Sequence, residues 1–369
     1  MTFKKKLADH FREFSASPFL FVGSGMSRRF IGAESWEALL KKFSDLIGEN
    51  FTKIRSQADG DYPKIASLLA ESYSQKWWDS EIKGQKDSDY SDDLVKKDSP
   101  LKVEICDYLA SVHENINAEY QKEIDLLRES KIDGIITTNW DFFLESIFPE
   151  FSVFIGQDGL FSSRNHGIAE VYKIHGCASD PNSLVLTEED YSKFRKKNPY
   201  LSSKLLTIFV EHPIIFLGYS LTDPHVLEIL EEIVECIPPN KIDALRQNIV
   251  FVEWDPEIKE PALTESIILK TLPVYLIRTS SYIELFEVLS EIKRRIPAHI
   301  FRRIKDELYE LVITNDPKGQ LYVKDADNLE NEENFQEFVV GYGAISKIKK
   351  SEELARQGIV GVDRDDIVR

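Results

Sequence analysis

Short apolar runs alternate with amphipathic stretches along most of this chain. The runs begin at Phe19, Ile132, Val171, Ile214, Ile249 and Val274, and each is too short to be a helix. Between them the apolar positions recur at helical spacing. Phe3, Leu7, Phe11 and Phe14 make one such stripe, and Trp36, Leu39, Leu40, Phe43, Leu46 and Ile47 make another, with Ser35 placed to cap it. Helical patterns also cover 201–210, 225–236 and 282–296. Buried strands alternating with helices predict an α/β fold: a Rossmann-like, doubly wound parallel sheet of about six strands.

In such a sheet ligands bind beyond the carboxyl ends of the strands. Ser24, Asn139, Asp141, His175 and Ser220 all close apolar runs, so several strands aim polar groups at one rim. The first run leads into Gly23-Ser24-Gly25-Met26-Ser27-Arg28. Glycines at a strand–helix junction let backbone N–H groups approach a phosphate. Alone, however, this segment reads as an ordinary tight turn, because Arg28 stands where a dinucleotide fingerprint has its third glycine.

Two regions break the alternation. Residues 50–127 predict a helical insertion, and its stretch at 80–100, rich in Asp, Ser and Lys, reads as a mobile loop or as a helical insertion with a disordered stretch. Beyond residue 300 the pattern loosens into a strong turn at 315–319, an acidic stretch at 325–333 and mixed short runs. That segment reads as an extension for oligomerisation or partner docking.

Composition narrows the function classes. The net charge of −17 argues against direct nucleic-acid binding. No run is long enough to span a membrane, and the N-terminus lacks the apolar core of a signal peptide. Three scattered cysteines, Cys106, Cys177 and Cys236, fit free thiols in the cytoplasm and exclude a four-cysteine zinc site within the chain. No metal is expected.

Four motifs occur in a fixed order: Gly23-Ser24-Gly25-Met26-Ser27, Thr137-Thr138-Asn139-Trp140-Asp141, His175-Gly176 and Gly218-Tyr219-Ser220. Together they resemble the signatures of the sirtuin family over roughly residues 15–295. The family's zinc-ribbon cysteines are missing between Gly176 and Gly218, where only Cys177 occurs, and so is its proline-aspartate-phenylalanine-arginine run. The chain therefore resembles the sirtuin-like NADases of bacterial anti-phage defence, as do Leu184–Tyr191 and Ser220-Leu221-Thr222-Asp223-Pro224.

The resemblance implies an NAD-binding catalytic domain over 1–299 and an extension over 300–369. It implies an NAD+ hydrolase that releases nicotinamide and ADP-ribose, takes NAD+ as substrate, and acts in abortive infection by depleting it. Partners implied are further copies of the chain and a HerA-type ATPase; 300–369 is short for the second sensing domain of the Thoeris effector. His175 is expected as general base, Asn139 as the group fixing water and ribose hydroxyls, and Asp141 as an electrostatic or orienting group, with helix capping an equal alternative. Gly23, Ser24 and Gly25 are expected to cradle the pyrophosphate, with Ser27, Arg28 and Thr138 adding contacts. Gly218 and Ser220 would touch the phosphate or adenosine side, and Glu253 and Tyr282 would serve the adenosine. Two other readings stay open: a zinc-free deacylase or ADP-ribosyltransferase, and a non-enzymatic NAD or ADP-ribose sensor.

Overall fold

The computed structural model describes residues 2–112, 115–161, 167–220, 224–238, 248–269, 272–293 and 297–313, with the backbone alone at 197, 224–225 and 307–313. The first compact unit ends at Lys293, and the helix Ala298–Ile313 belongs to the second. The turn, acidic stretch and short runs expected beyond 313 lie outside the described residues, as do Leu221, Thr222 and Asp223.

The strands of the first unit are β1 (Phe19–Val22), β2 (Gly134–Thr137), β3 (Ser152–Ile155), β4 (Glu170–Lys173), β5 (Ile214–Leu217), β6 (Ile249–Trp254), β7 (Ala262–Ile268) and β8 (Leu272–Thr279). They form one sheet in the order β3-β4-β2-β1-β5-β6-β8-β7. All neighbours are parallel except β7 and β8. The six runs found in the sequence are six of these strands. The two that were not expected are the edges. β3 has a single buried residue, Phe154, and β7 carries polar and exposed positions through most of its length. An edge strand has only one pairing partner and needs no continuous apolar run.

The central strands are apolar on both faces because both faces are covered. Leu20, Val22, Ile135, Ile215 and Val250 pack on one side, and Phe19, Phe21, Ile136, Phe216 and Phe251 on the other. From β1 the chain builds outward through β2 and β4, then returns to place β5 on the other side of β1. The carboxyl end of β1 is therefore the topological switch point, where the first motif lies.

Between β1 and β2 the chain builds a helical module from Trp36–Leu46, Phe51–Gln57, Tyr62–Trp78 and Ser99–Val112. Ser35 caps the first of these as expected, its Oγ accepting the Ala38 N–H at 3.2 Å. The module has its own core, with Leu40, Phe43, Leu69, Tyr73, Trp77 and Ile105. That core continues onto Trp140 and Phe142 after β2 and onto Ala178, Leu184 and Leu186 after β4. The module thus closes over the loops that carry the second and third motifs.

The 80–100 stretch is tied down rather than loose. It forms the short helices Glu81–Lys83 and Lys86–Asp89. Lys86 pairs with Glu104 and Asp107 at 2.8 Å each, the Tyr90 hydroxyl donates to Asp107 at 2.6 Å, and Asn182 donates to the Asp93 carbonyl at 3.1 Å. Charge complementarity with one helix replaces the apolar contacts that the composition lacks.

The buried Lys102 lies 2.7 Å from both Asp98 and Asp190 and joins the module to the first turn of the helix Glu188–Lys197. Burial alone would raise the Asp190 pKa, but the Lys102 charge and the Thr187 hydrogen bonds outweigh it and hold the carboxyl below its ordinary 3.8. A depressed carboxylate pKa contributes stability above the unfolded value and loses it as pH falls through the folded one. Acid titration of denaturant midpoints should therefore show a loss below 3.8 that is absent in Asp190→Asn.

Candidate active site

The site starts where β1 stops. Gly23 is the N-terminal cap residue of the helix Ser24–Phe30, which begins immediately past the strand. This turn locks onto the end of β5. The Gly23 N–H donates to the Leu217 carbonyl at 2.8 Å and the Gly25 N–H to the Gly218 carbonyl at 3.1 Å. Gly218 is left-handed, with φ of +73°. A Cβ there would stand 2.7 Å from the Met26 nitrogen and 2.8 Å from the Gly23 oxygen; one on Gly25 would stand 2.8 Å from Gly218 Cα.

The glycines are thus required first by one another. The expected cradle is corrected accordingly: the N–H groups of Gly23 and Gly25 hold the turn, and the exposed groups there are Ser24 and Arg28. Gly218→Ala is expected to destabilise the protein by about 1–3 kcal/mol, since it combines a positive φ with a contact to backbone that cannot swing away. A fall in the thermal midpoint measures it.

The second motif meets the first through a buried chain of hydrogen bonds. The Thr137 hydroxyl donates to the Val22 carbonyl at 2.8 Å and accepts the Asn139 N–H at 3.0 Å. The Asn139 side-chain Nδ2 donates to the Gly23 carbonyl at 3.0 Å and to Ser27 Oγ at 2.9 Å. Ser27 Oγ in turn donates to Asp141 Oδ2 at 2.7 Å, and Asp141 Oδ1 accepts the Phe143 N–H at 3.0 Å. Ser27, Asn139 and Asp141 are all under one-tenth exposed. Asp141 thus holds the first N–H of Phe143–Ile147 with one oxygen and Ser27 with the other. Thr138 bonds the Tyr219 hydroxyl at 2.7 Å, which ties this loop to the fourth motif beside the exposed Ser220.

His175 follows β4. Its ring is buried, edge-on to Tyr191 at 5.4 Å and Phe194 at 4.8 Å between centroids. Its carbonyl accepts the Trp140 indole N–H at 2.9 Å and the Val185 N–H at 2.9 Å. Trp140 stands between Asn139 and Asp141 in sequence, so the imidazole-bearing loop and the Asn–Asp loop are fastened side by side. Gly176, with φ of +94°, allows the sharp turn that follows under Ser183.

Lys173 completes the fastening. Its side chain is fully buried, donates to the Trp140 and Asp141 carbonyls and pairs with Glu145 at 2.6 Å. Sequence reasoning did not single it out. The signal was a charge inside an otherwise apolar strand, Val171-Tyr172-Lys173-Ile174.

The expected adenosine-side residues fare differently. Glu253 pairs with Arg278 on the neighbouring strand at 2.8 Å, and both are well exposed. Tyr282 is 3% exposed and packs against Phe30 and Phe286, with burial pushing its pKa up to about 12. It is a core residue, which corrects its placement beside a ligand. The structured arginine of the helix Ser24–Phe30 is Arg29 rather than Arg28. Arg29 makes two bonds to Glu123, at 2.8 and 2.9 Å, and lies 3.8 Å from the Tyr120 ring centroid. Glu123 also accepts the Ser281 hydroxyl and the Tyr282 N–H, fastening the end of β8 to the helix Ser24–Phe30.

Residues 133–272 match the family described as the SIR2-like domain. The matched segment runs from the start of β2 through β7 and takes in Asn139, Asp141, His175 and Gly218. Among curated proteins, the NAD(+) hydrolase ThsA of Bacillus cereus (strain MSX-D12) is 24% identical over 225 residues, covering 58% of this chain and 39% of that protein. The NAD(+) hydrolase ThsA of Enterococcus faecium is 24% identical over 236 residues, 59% of this chain and 49% of that protein. The protein of that name from Cytobacillus dafuensis is 30% identical over 128 residues, 33% of this chain and 26% of that protein. Each match thus spans less than half of the relative's length.

The fold joins Asn139 and Asp141 through Ser27, sets His175 just past the adjoining strand β4, and leaves Glu253 and Tyr282 in other contacts. Among the described residues no group of three His, Cys, Asp or Glu side chains is placed to hold a metal ion, and no helix is long and apolar enough to cross a membrane.

Proposed function

We propose that the protein is an NAD+ hydrolase that breaks the nicotinamide–ribose bond, releasing nicotinamide and ADP-ribose. The observation that carries this reading is the buried Ser27–Asn139–Asp141 chain at the switch point, with His175 on the adjoining strand end. Bond cleavage sends the electron pair to the departing nicotinamide and leaves an oxocarbenium-like ribose. Water then adds at that carbon and gives up a proton. The chemistry asks for a hydrogen-bond acceptor to fix the ribose hydroxyls or the water, a base, and negative potential near the cation. Asn139, His175 and Asp141 supply those three.

The relatives named NAD(+) hydrolase support the same reaction for this chain. In this reading the enzyme is cytoplasmic and metal-independent, and acts in anti-phage defence by depleting NAD+. An activity that harms its host must be restrained. Assembly of several copies, or docking of a HerA-type ATPase, is the proposed control, with the segment beyond residue 300 as its seat. The test is nicotinamide release from NAD+ by the purified protein, alone and with the products of neighbouring genes. Release in any of these conditions supports the reading, and none in all of them overturns it. Consumption that requires an added acyl-lysine peptide or nucleic acid would instead mark a transferase.

A further inference from the structure

Little of the His175 ring reaches solvent. It is 5% exposed, and two rings of one helix close on it, Tyr191 and Phe194, each at 82° to the imidazole. Both belong to the helix Glu188–Lys197 and stand three positions apart, which puts them on one helical face. That helix is held from several sides. Asp190 pairs with the buried Lys102 and closes a capping box with Thr187, the Glu188 N–H donates to Ser67 Oγ at 3.0 Å, and Arg195 pairs with Glu228 at 2.8 Å. Trp36 stacks on both Tyr191 and Tyr62, at 5.9 and 5.5 Å between centroids. Tyr191 and Phe194 are thus parts of a braced aromatic wall beside His175.

Cleavage sends the electron pair of the C1′–N bond to nicotinamide. The oxygen of an acceptor then bonds C1′, and its proton leaves to the base. Water yields ADP-ribose, and an alcohol yields the 1-O-alkyl glycoside. In either case the acceptor oxygen must come within hydrogen-bond reach of the imidazole, about 2.6–3.2 Å. Whatever is attached to that oxygen must then fit around His175, where the wall stands.

We propose that Tyr191 and Phe194 select the acceptor: they leave room beside His175 for water and exclude an acceptor that carries a carbon chain on its oxygen. They are specificity-determining residues, and they make the site a hydrolase rather than a transferase. This rests on the NAD-cleaving reading above and adds the choice of the second substrate.

The test is a partition and not a rate. The protein, with whichever partner releases nicotinamide, is given NAD+ in buffer containing 1-propanol, and ADP-ribose and propyl-ADP-ribose are separated and quantified. The product ratio is set after nicotinamide has left, so it is blind to the amount of folded protein and to turnover, and a merely structural role would not move it. One methylene in an apolar pocket changes such a choice about 10-fold or more, and propanol brings three carbons. Wild type is expected to form propyl-ADP-ribose at less than about a tenth of the share set by the mole fraction of propanol. Tyr191→Ala and Phe194→Ala should each raise the ratio at least about tenfold. Tyr191→Phe, which keeps the ring, should partition like wild type. Tyr191→Leu and Phe194→Leu thin the wall with less loss of packing, and they take the place of an alanine variant that fails to fold.

Propanol used freely by wild type, a ratio unmoved in either variant, or a Tyr191→Phe ratio like that of Tyr191→Ala would each overturn the proposal. Nicotinamide release with the wrong partition overturns the wall alone. No release in any condition overturns the hydrolase reading and the wall with it.

Discussion

Asn139→Ala is expected to cut nicotinamide release by about 100- to 1,000-fold, the range measured when one preorganised polar group is removed from a transition state. The argument begins with burial. Asn139 is 8% exposed, so its side chain is placed by protein contacts and reaches a ligand without having to be ordered first. Truncation removes that group and takes one donor each from the Gly23 carbonyl, which keeps the Met26 N–H, and from Ser27 Oγ, which keeps Asp141. Each lost hydrogen bond is worth about 0.5–1.5 kcal/mol, so the variant should also melt earlier. The two effects separate on measurement. A stability loss shifts the denaturation midpoint, whereas the loss of chemistry persists at temperatures where the variant is fully folded. Release within tenfold of wild type under those conditions would remove Asn139 from the mechanism.

Much of this site could be read before the fold was in hand, for a physical reason. A strand buried on both faces must be apolar, so its first polar residue marks the rim. Asn139, Asp141 and His175 are legible that way, and the central six strands with them. The edges β3 and β7 are not, because a half-exposed strand has no distinctive pattern. Contacts between distant segments are also invisible. Nothing in Gly23-Ser24-Gly25 says that Gly218 will press against it, so the glycines read as space for a phosphate when they are space for each other. Tyr282 shows the same limit from the other side. An aromatic residue after a strand could meet a ligand or the core, and here Phe30 and Phe286 claim it.

The residue least legible in the sequence is expected to matter most for holding the site together. Lys173→Met should destabilise the protein by about 3–5 kcal/mol, the usual cost of breaking a buried ion pair by removing one partner. Burial opposes the Lys173 ammonium, but Glu145 outweighs it and raises the pKa above the ordinary 10.5. The pair's contribution is accordingly full below 10.5 and is lost only as pH rises through the higher folded value. With methionine in place, Glu145 keeps a half-buried carboxylate without its cation, and the Trp140 and Asp141 carbonyls lose a donor. At about 2–4 °C per kcal/mol for a unit of this size, the thermal midpoint should fall by roughly 10 °C. Lys173→Met combined with Glu145→Leu should recover part of that, because no uncompensated charge remains, but not the share owed to the two carbonyls. It should not recover activity, since those carbonyls belong to the loop that aims Asn139 and Asp141 beside His175. A double variant as active as wild type would show that the lysine serves the fold alone.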